Sequence, residues 1–294
     1  MIIYLLQEKM VFLLLSLQLK IQLKRNLHRK YNLVVSGKQY EISSLTNNKV
    51  KLINSLYHRK YRKDFNLFVA EGVRICKEAL ENNWDIKYLL FNKENKDNVA
   101  IHDLVNETTS LGADTIAVSS QILSKLSHKD NPQNVLGVFI QKWHCFPNYV
   151  DNKRIVALEN VRDPGNLGTI IRLADWFGVR DILCSKDCVD YLNPKVVQST
   201  MGSFSRVNVH YTGLEEAFNT YDDYKIYVTL LNGTPLKEVR NVKKKIIVMG
   251  SESRGVSEKI IQLAEEKITI PKSEFSKAES LNVSIASAII LSSL

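Results

Sequence analysis

The chain contains two stretches in which short apolar runs alternate with amphipathic segments. In the second stretch, which begins at Arg154, the apolar runs are nearly continuous, as is typical of a parallel sheet buried on both faces. We expect strands at IVALEN, DILCS, KIYVTLL, KKIIVMG and KITIP, and helices at LGTIIRLADWFG, NPKVVQSTMG, LEEAFNTY, SEKIIQLAEE and NVSIASAIILSSL. The pattern predicts a mostly parallel, doubly wound α/β sheet, in which ligands bind at loops that leave the carboxyl ends of the strands.

The first stretch predicts a smaller α/β unit. Its strands are expected at NLFVAEG, IKYLLFN, TIAVSS and GVFIQKW, with a helix at VRICKEALENN. The polar, proline-containing segment FPNYVDNKR predicts a linker at residues 146–154. We therefore expect a basic extension outside the core over residues 1–40, a small α/β domain over residues 41–145 and a larger α/β domain over residues 153–294.

The first helix of the small domain is expected to carry a basic cluster at its carboxyl end. The sequence SSLTNNKVKLINSLYHRKYRK indicates one helix capped by Ser43 or Ser44. Its inward-facing positions are Val50, Leu52, Ile53 and Leu56. Its last turns hold His58, Arg59, Lys60, Arg62 and Lys63, interleaved with Tyr57 and Tyr61. Such a cluster suits contacts to RNA phosphates and bases, but cations stabilise the carboxyl end of any helix, so a solvated helix end is the competing interpretation.

The net charge of +9 is concentrated in the first 40 residues, where seven Lys and Arg against one acid give +6 and leave +3 for the rest. A basic chain favours polyanions, with RNA ahead of an anionic membrane surface. The apolar run from Met10 to Leu19 is too short for a membrane span, which needs about 20 residues. Residues 1–38 have three interpretations: a transit peptide, a stretch that results from a mis-assigned start codon, or a structured basic arm. We expect a cytoplasmic protein, or an organelle-matrix protein if the segment is a transit peptide.

The four cysteines are few and scattered, which favours a reducing compartment and structural thiols. Cys184 and Cys188 lie close together in the sequence, but no second Cys/His pair nearby completes a zinc site. We therefore expect no bound metal.

Three polar loops follow predicted strands of the larger domain: DPGNLG at 163–168, GSESRGVS at 250–257 and PKSEFSKAESLN at 271–282. They and the helix after the first loop contain the candidate residues Asn166, Arg172, Glu252, Ser280 and Asn282. The sequence lacks GxGxxG, Walker A, HExxH and GxSxG motifs, which disfavours hydride transfer, P-loop NTPase and serine hydrolase chemistry. Taken singly, the loops could be ordinary helix caps at Ser257 and Asn282, with Arg172 in a surface ion pair with Asp175.

Three ordered motifs, DPGNLGTIIRLADWFGV, VMGSESRGVS and SLNVSIASAII, together with NPKVVQSTMGSF, resemble those of the SpoU (TrmH-type) RNA ribose methyltransferases of the SPOUT superfamily. The segment SSLTNNKVKLINSL…FVAEG is similar to that family's RNA-binding domain, which is related to ribosomal protein L30e. The resemblance covers about residues 42–294. It implies a deep trefoil knot, S-adenosylmethionine as cofactor, and a homodimer with the active site near the subunit interface.

The resemblance also implies roles for individual residues. It implies that the catalytic residues are Asn166, Arg172, Glu252, Ser280 and Asn282. The residues that it implies for cofactor binding are Leu230, Gly250, Ile270 and Leu281. A guanidinium is a poor general base but forms strong bidentate hydrogen bonds to a phosphate, so we expect Arg172 to position the RNA. One departure concerns the third loop, which lacks the family's Met and Gly after the proline and is two residues longer.

The expected function is 2′-O-methylation of ribose in RNA, with 23S-type ribosomal RNA ahead of tRNA. Two alternatives stay open. A non-catalytic RNA-binding factor for ribosome assembly would account for the altered third loop. A small-molecule α/β transferase is disfavoured by the basic cluster.

Overall fold

The computed structural model describes residues 45–95, 98–142 and 154–294. The predicted basic extension, the proposed caps Ser43 and Ser44, and all of the predicted linker except Arg154 lie outside these residues. We refer to residues 45–142 as the N-terminal unit and to residues 154–294 as the C-terminal unit.

The N-terminal unit is built on a four-stranded mixed sheet. Its strands are β1 (Leu67–Glu71), β2 (Ile86–Asn92), β3 (Asp114–Val118) and β4 (Val135–Ile140), in the order β1-β4-β2-β3. Strand β4 runs antiparallel to both of its neighbours, whereas β2 and β3 are parallel. Its helices are α1 (Asn47–Ser55), α2 (Arg59–Phe65), α3 (Val73–Glu81), α4 (Val99–Ser110) and α5 (Ser120–Leu126). All four predicted strands are therefore present.

The prediction of a single first helix is wrong. Helix α1 starts after Thr46, whose side chain accepts a hydrogen bond from the Lys49 amide. It ends at Ser55, and the extended backbone of His58 separates it from α2. The basic residues therefore form a helix of their own instead of the carboxyl end of α1, and α2 can face a different part of the molecule.

The C-terminal unit contains six strands that pair only in parallel. They are β5 (Arg154–Glu159), β6 (Asp181–Cys184), β7 (Asn208–Tyr211), β8 (Lys225–Pro235), β9 (Lys245–Gly250) and β10 (Glu266–Thr269), in the order β10-β8-β9-β5-β6-β7. This confirms the predicted fold class. Strand β7 was not predicted, because Asn208 and His210 interrupt its apolar pattern; both side chains contact the Asp181 carboxylate at 3.0 Å.

Helices cover both faces of the larger sheet. They are α6 (Pro164–Trp176), α7 (Pro194–Ser199), α8 (Leu214–Phe218), α9 (Glu258–Gln262) and α10 (Val283–Ser293). Asp163 caps α6 by accepting a hydrogen bond from the Asn166 amide at 2.8 Å. Asn282 caps α10 as predicted. Ser257 occupies the predicted cap position of α9, but its side chain makes no capping hydrogen bond.

The two units share one hydrophobic core. The rings of Trp84 and Phe204 lie 5.3 Å apart, and the Trp84 indole donates to the Ser205 carbonyl at 3.2 Å. At the rim, Arg206 bonds Glu78 of the N-terminal unit and Asp175 of α6, both at 2.7 Å. This junction fixes the N-terminal unit beside the larger sheet. The trefoil knot stays a prediction.

Candidate active site at the carboxyl edge of the larger sheet

Asn166, Glu252 and Asn282, which come from three loops far apart in the sequence, form one hydrogen-bonded cluster. The Glu252 Oε1 atom accepts from Asn166 Nδ2 at 3.1 Å, from Asn282 Nδ2 at 2.7 Å and from the Val283 amide at 3.2 Å. Asn282 Nδ2 also donates to Asn166 Oδ1 at 2.9 Å. Glu252 and Asn282 are exposed and Asn166 is half-buried. A large ligand can therefore reach the cluster from solvent.

Helix capping orients the amide of Asn282. Its Oδ1 atom accepts from the amides of Ser284 and Ile285, at 2.9 and 3.3 Å, and from the Ser284 hydroxyl at 2.6 Å. The Nδ2 atom is left to face Glu252. The predicted alternative, in which Asn282 only caps a helix, therefore accounts for Oδ1 alone, because Nδ2 donates to Glu252 and Asn166 of the cluster.

A tight turn after β9 presents Glu252. Gly250 has no room for a side chain, because a Cβ atom there would overlap the carbonyl group of Gly255. Gly255 has a φ of +64°, in the left-handed region that favours glycine, and it bridges back to Ser251. Both glycines are therefore needed for the turn that carries the carboxylate.

A cleft of about 820 Å³ lies beside the cluster. It is bounded by segments after β8, β9 and β10 and by the start of α10, and its lining includes Leu230, Gly250, Glu252, Ile270, Ser280 and Leu281. All four residues predicted to bind the cofactor thus lie at one cavity, together with two of the predicted catalytic residues. Clefts of this volume accommodate ligands of nucleoside size.

Several residues of the cleft were missed by sequence reasoning. Thr229, Leu231 and Asn232 belong to β8, which the pattern identifies only as a strand. Arg254, Lys272 and Glu279 lie in the quoted loops, but their charges gave no reason to separate them from other loop residues. The side chains that line a cleft depend on how its loops fold, and a motif does not specify this.

The structure does not bring Arg172 into the cluster. Six positions along a helix place its side chain about 120° around α6 from Asn166. Arg172 is exposed and forms no hydrogen bond or ion pair with any of the described residues. Its predicted alternative partner, Asp175, is bound by Arg206 through contacts of 2.7 to 3.2 Å. The ion-pair interpretation of Arg172 is therefore wrong. Ser280 lines the cleft, but within the described part of the chain it makes no hydrogen bond to the cluster.

The prediction that Arg62 contacts RNA is wrong. Its side chain is buried and bonds Asp190 through Nε at 2.9 Å and Nη2 at 2.6 Å. Its Nη1 atom donates to the carbonyls of Leu56 and Tyr57. Arg62 therefore attaches α2 to the C-terminal unit, whereas Arg59, Lys60 and Lys63 of the same helix are exposed.

Within residues 45–95, 98–142 and 154–294, no group of three or more His, Cys, Asp or Glu side chains is arranged to hold a metal ion. Cys76, Cys184 and Cys188 are buried free thiols. Burial raises the pKa of Cys76 to about 12, which leaves it protonated at neutral pH. Across the same ranges, no helix has the length and apolar character that crossing a membrane requires.

Comparison with known proteins agrees with this geometry. Residues 153–292 match the SpoU rRNA Methylase family, and residues 47–137 match the MRM3-like substrate binding domain. The 23S rRNA (guanosine(2553)-2′-O)-methyltransferase RlmP of Bacillus subtilis is 27% identical over 254 residues, which cover 85% of this chain and 97% of that protein.

Two solved structures have the same fold. One is assigned to the TrmH family of RNA methyltransferases, from Porphyromonas gingivalis; it is 31% identical, covers 85% of this chain and 98% of that chain, and has a TM-score of 0.74. The other is the AdoMet-bound rRNA methyltransferase of Sinorhizobium meliloti, at 29% identity, 86% and 97% coverage and a TM-score of 0.76. The chain thus belongs to the SpoU (TrmH-type) family of RNA methyltransferases.

Proposed function

We propose that this protein transfers a methyl group from S-adenosylmethionine to the 2′-hydroxyl of a ribose in 23S-type ribosomal RNA. The observation that carries the proposal is the convergence of Asn166, Glu252 and Asn282 beside the cleft. The similarity to a 23S rRNA 2′-O-methyltransferase along almost its entire length favours ribosomal RNA over tRNA.

The cleft fits S-adenosylmethionine in size and in charge. Leu230, Gly250, Ile270 and Leu281 would hold the cofactor in the cleft. Its wall carries two acids, Glu252 and Glu279, and two cations, Arg254 and Lys272, which suits a ligand that bears a sulfonium, an ammonium and a carboxylate. When bound, S-adenosylmethionine supplies an electrophilic methyl group.

The polar residues position the ribose. Asn166 and Asn282 offer neutral amide dipoles, which orient a hydroxyl without repelling a cation, and Glu252 fixes both amides by accepting a hydrogen bond from each. Holding two reactants in a near-attack geometry lowers the barrier by up to about 7–11 kcal/mol. Ser280, at the wall of the cleft, completes the proposed set.

Arg172 binds the phosphate next to the target ribose. A guanidinium holds its proton too strongly to act as a base, and its planar fork matches a phosphate. The exposure of Arg172 and its freedom from ion pairs with described residues leave it available for this contact.

The N-terminal unit recruits the RNA, and residues 41–145 form the substrate-binding domain ahead of a methyltransferase domain at 153–294. Exposed Arg59, Lys60 and Lys63 supply phosphate contacts. The active protein is a cytoplasmic homodimer. Support for a dimer comes from Trp176 of α6 and from Ile285 and Ile289 of α10, large apolar side chains that are exposed on two helices packed together.

Calorimetry with S-adenosylmethionine tests the cofactor site. We expect one site per chain without added metal, and loss of binding in Gly250→Ala, because the new methyl group displaces the turn at Gly255. Gly112→Ala is the matched control: its φ of +78° makes the substitution strained, but it lies away from the cleft lining and should cost stability only. An absence of binding at millimolar cofactor would favour the non-catalytic assembly factor. Loss of one ribose methylation from ribosomal RNA in a deletion strain would identify the target.

A further inference from the structure

Helix α2 exposes an aromatic pair within its basic surface. The rings of Tyr61 and Phe65 lie one helical turn apart and stack with centroids at 6.2 Å and planes 16° apart. Their exposed fractions are 40% and 50%. Lys60 lies 5.9 Å from the Tyr61 ring, and Lys63 is exposed on the same helix. Neither lysine forms an ion pair with a described residue, and Asp64 is the single acid of the helix.

The C-terminal unit fixes the place of this helix. Buried Arg62 bonds Asp190, and the Arg59 guanidinium lies 5.9 Å from the ring of Tyr211 at the carboxyl end of β7. Asp190 follows β6, in a loop that runs beside the loop after β5, since the Val189 amide donates to the Val161 carbonyl at 3.0 Å. The α2 surface therefore lies at the same carboxyl edge of the sheet as Asn166.

We propose that Tyr61 and Phe65 form a stacking platform for unpaired bases of the RNA, so that the substrate is recognised at a loop or single-stranded segment. This rests on the proposed function, in which RNA is the substrate. Lysines alone are sufficient for the phosphates of a duplex, whose bases are already stacked and cannot reach a protein ring. Exposed aromatic rings add affinity only for bases that are free to stack on them.

Charge separates RNA from the other candidate occupants of this surface. Residues 1–40 carry a net charge of +6, the same sign as the α2 cations, and are therefore repelled by them. In a two-fold symmetric contact through this surface, a second copy of this chain would bring the same basic helix against it. A polyanion with exposed bases complements both the cations and the rings.

The test compares the double variant Tyr61→Ala/Phe65→Ala with the ring-preserving control Tyr61→Phe/Phe65→Tyr. Binding is measured without cofactor by fluorescence anisotropy on two labelled RNAs with the same number of phosphates, a hairpin with an unpaired loop and a blunt duplex. We expect the alanine variant to lose about tenfold in affinity for the hairpin and less than about twofold for the duplex. The control should bind both RNAs like the unchanged protein. Both variants should still melt cooperatively, with a modest loss of stability in the alanine variant, because about half of each ring is already exposed.

Salt dependence separates stacking from charge. The slope of log affinity against log salt should be unchanged in the alanine variant, whereas Lys60→Gln/Lys63→Gln should reduce it by about 0.7–0.9 for each phosphate that the protein no longer neutralises, on both RNAs.

Equal decreases in affinity for the hairpin and the duplex, or an unchanged affinity for the hairpin, would overturn the proposal that the two rings form a stacking platform. A shift to monomer in the alanine variant would assign the surface to a contact between two copies of this chain. If removal of residues 1–40 raised the hairpin affinity, and if that affinity no longer depended on the rings, the surface would be assigned to contacts with residues 1–40. If the unchanged protein methylates ribosomal RNA, these results bear on the platform alone; absence of methyl transfer would count against the proposed function.

Discussion

Two polar regions of this molecule use the same residue types in opposite ways. At the junction between the units, Arg62 and Arg206 bond Asp190, Asp175 and Glu78, and each charge is matched inside the fold. At the carboxyl edge, the Glu252 carboxylate is held by neutral amides, and Arg172, which lies outside that cluster on α6, is exposed without an ionic partner among the described residues. An arginine whose charge is matched within the chain supports the fold, whereas one left open can bind a ligand.

The largest expected effect is at Arg172. Arg172→Ala should abolish methyl transfer to RNA, a loss of roughly 100-fold or more, because a misplaced ribose loses its alignment. Cofactor binding and the melting temperature should persist. Arg172→Lys should recover little, because an ammonium cannot form the bidentate fork.

Methyl transfer, calorimetry and thermal melting on the same variants check this prediction. Arg180→Ala, at an exposed arginine four residues beyond the end of α6 and two after Gly178, is the matched control and should retain activity. Full activity in Arg172→Ala would contradict the proposal that the exposed Arg172 binds the RNA phosphate.

At the junction, the expected effect is on stability. Arg62→Met leaves Asp190 largely buried without its cation and should lower the free energy of unfolding by about 3–5 kcal/mol. Arg62→Met/Asp190→Asn should recover part of this loss, because no unpaired charge is left and Asn can still accept from the Leu192 amide.

Denaturant unfolding measures both variants, with Lys63→Met, at an exposed neighbour, as a control expected to change stability by less than about 0.5 kcal/mol. The salt slope of RNA binding by folded Arg62→Met should equal that of the unchanged protein. A reduced salt slope in Arg62→Met would mean that Arg62 does contact the RNA.

The smallest effect is expected at acidic pH. Partial burial by itself would raise the pKa values of Glu78 and Asp175. Hydrogen bonds and charge from Arg206, helped by Arg74 at Glu78 and by Ser203 at Asp175, outweigh it and hold both below their ordinary values of 4.5 and 3.8. Lowered pKa values give stability that is present above the ordinary values and lost as the pH falls through the lower, folded-state values. Because Arg206 is 36% exposed, the contribution is at most about 1 kcal/mol.

Melting temperatures from pH 7 down to pH 3 should therefore fall slightly less steeply in Arg206→Gln than in the unchanged protein. Lys244→Gln, which removes an exposed ion pair with Asp223 outside the junction, should follow the unchanged protein. Identical curves for Arg206→Gln and the unchanged protein would mean that this bridge is not coupled to folding.

The sequence by itself determined the parallel strands of the larger sheet and the loops that meet at its carboxyl edge. Continuous apolar runs indicate strands buried on both faces, and parallel strands place their following loops at one edge. Asn166, Glu252 and Asn282 could therefore be predicted to lie together before any coordinates were known. Strand β7 escaped the pattern because its polar residues are satisfied by Asp181, which lies 27 residues or more away in the chain.

Only the tertiary structure decided which charges are matched. Arg59, Lys60, Arg62 and Lys63 are nearly equivalent in sequence, yet Arg62 alone among them is buried, because α2 is a separate helix packed against Asp190, 128 residues further along the chain. Asp175 likewise bonds Arg206 and not Arg172, its neighbour in the same helix. Pairing between charges depends on which side chains the folded chain brings together and buries, and the spacing of charged residues along the sequence does not specify their partners.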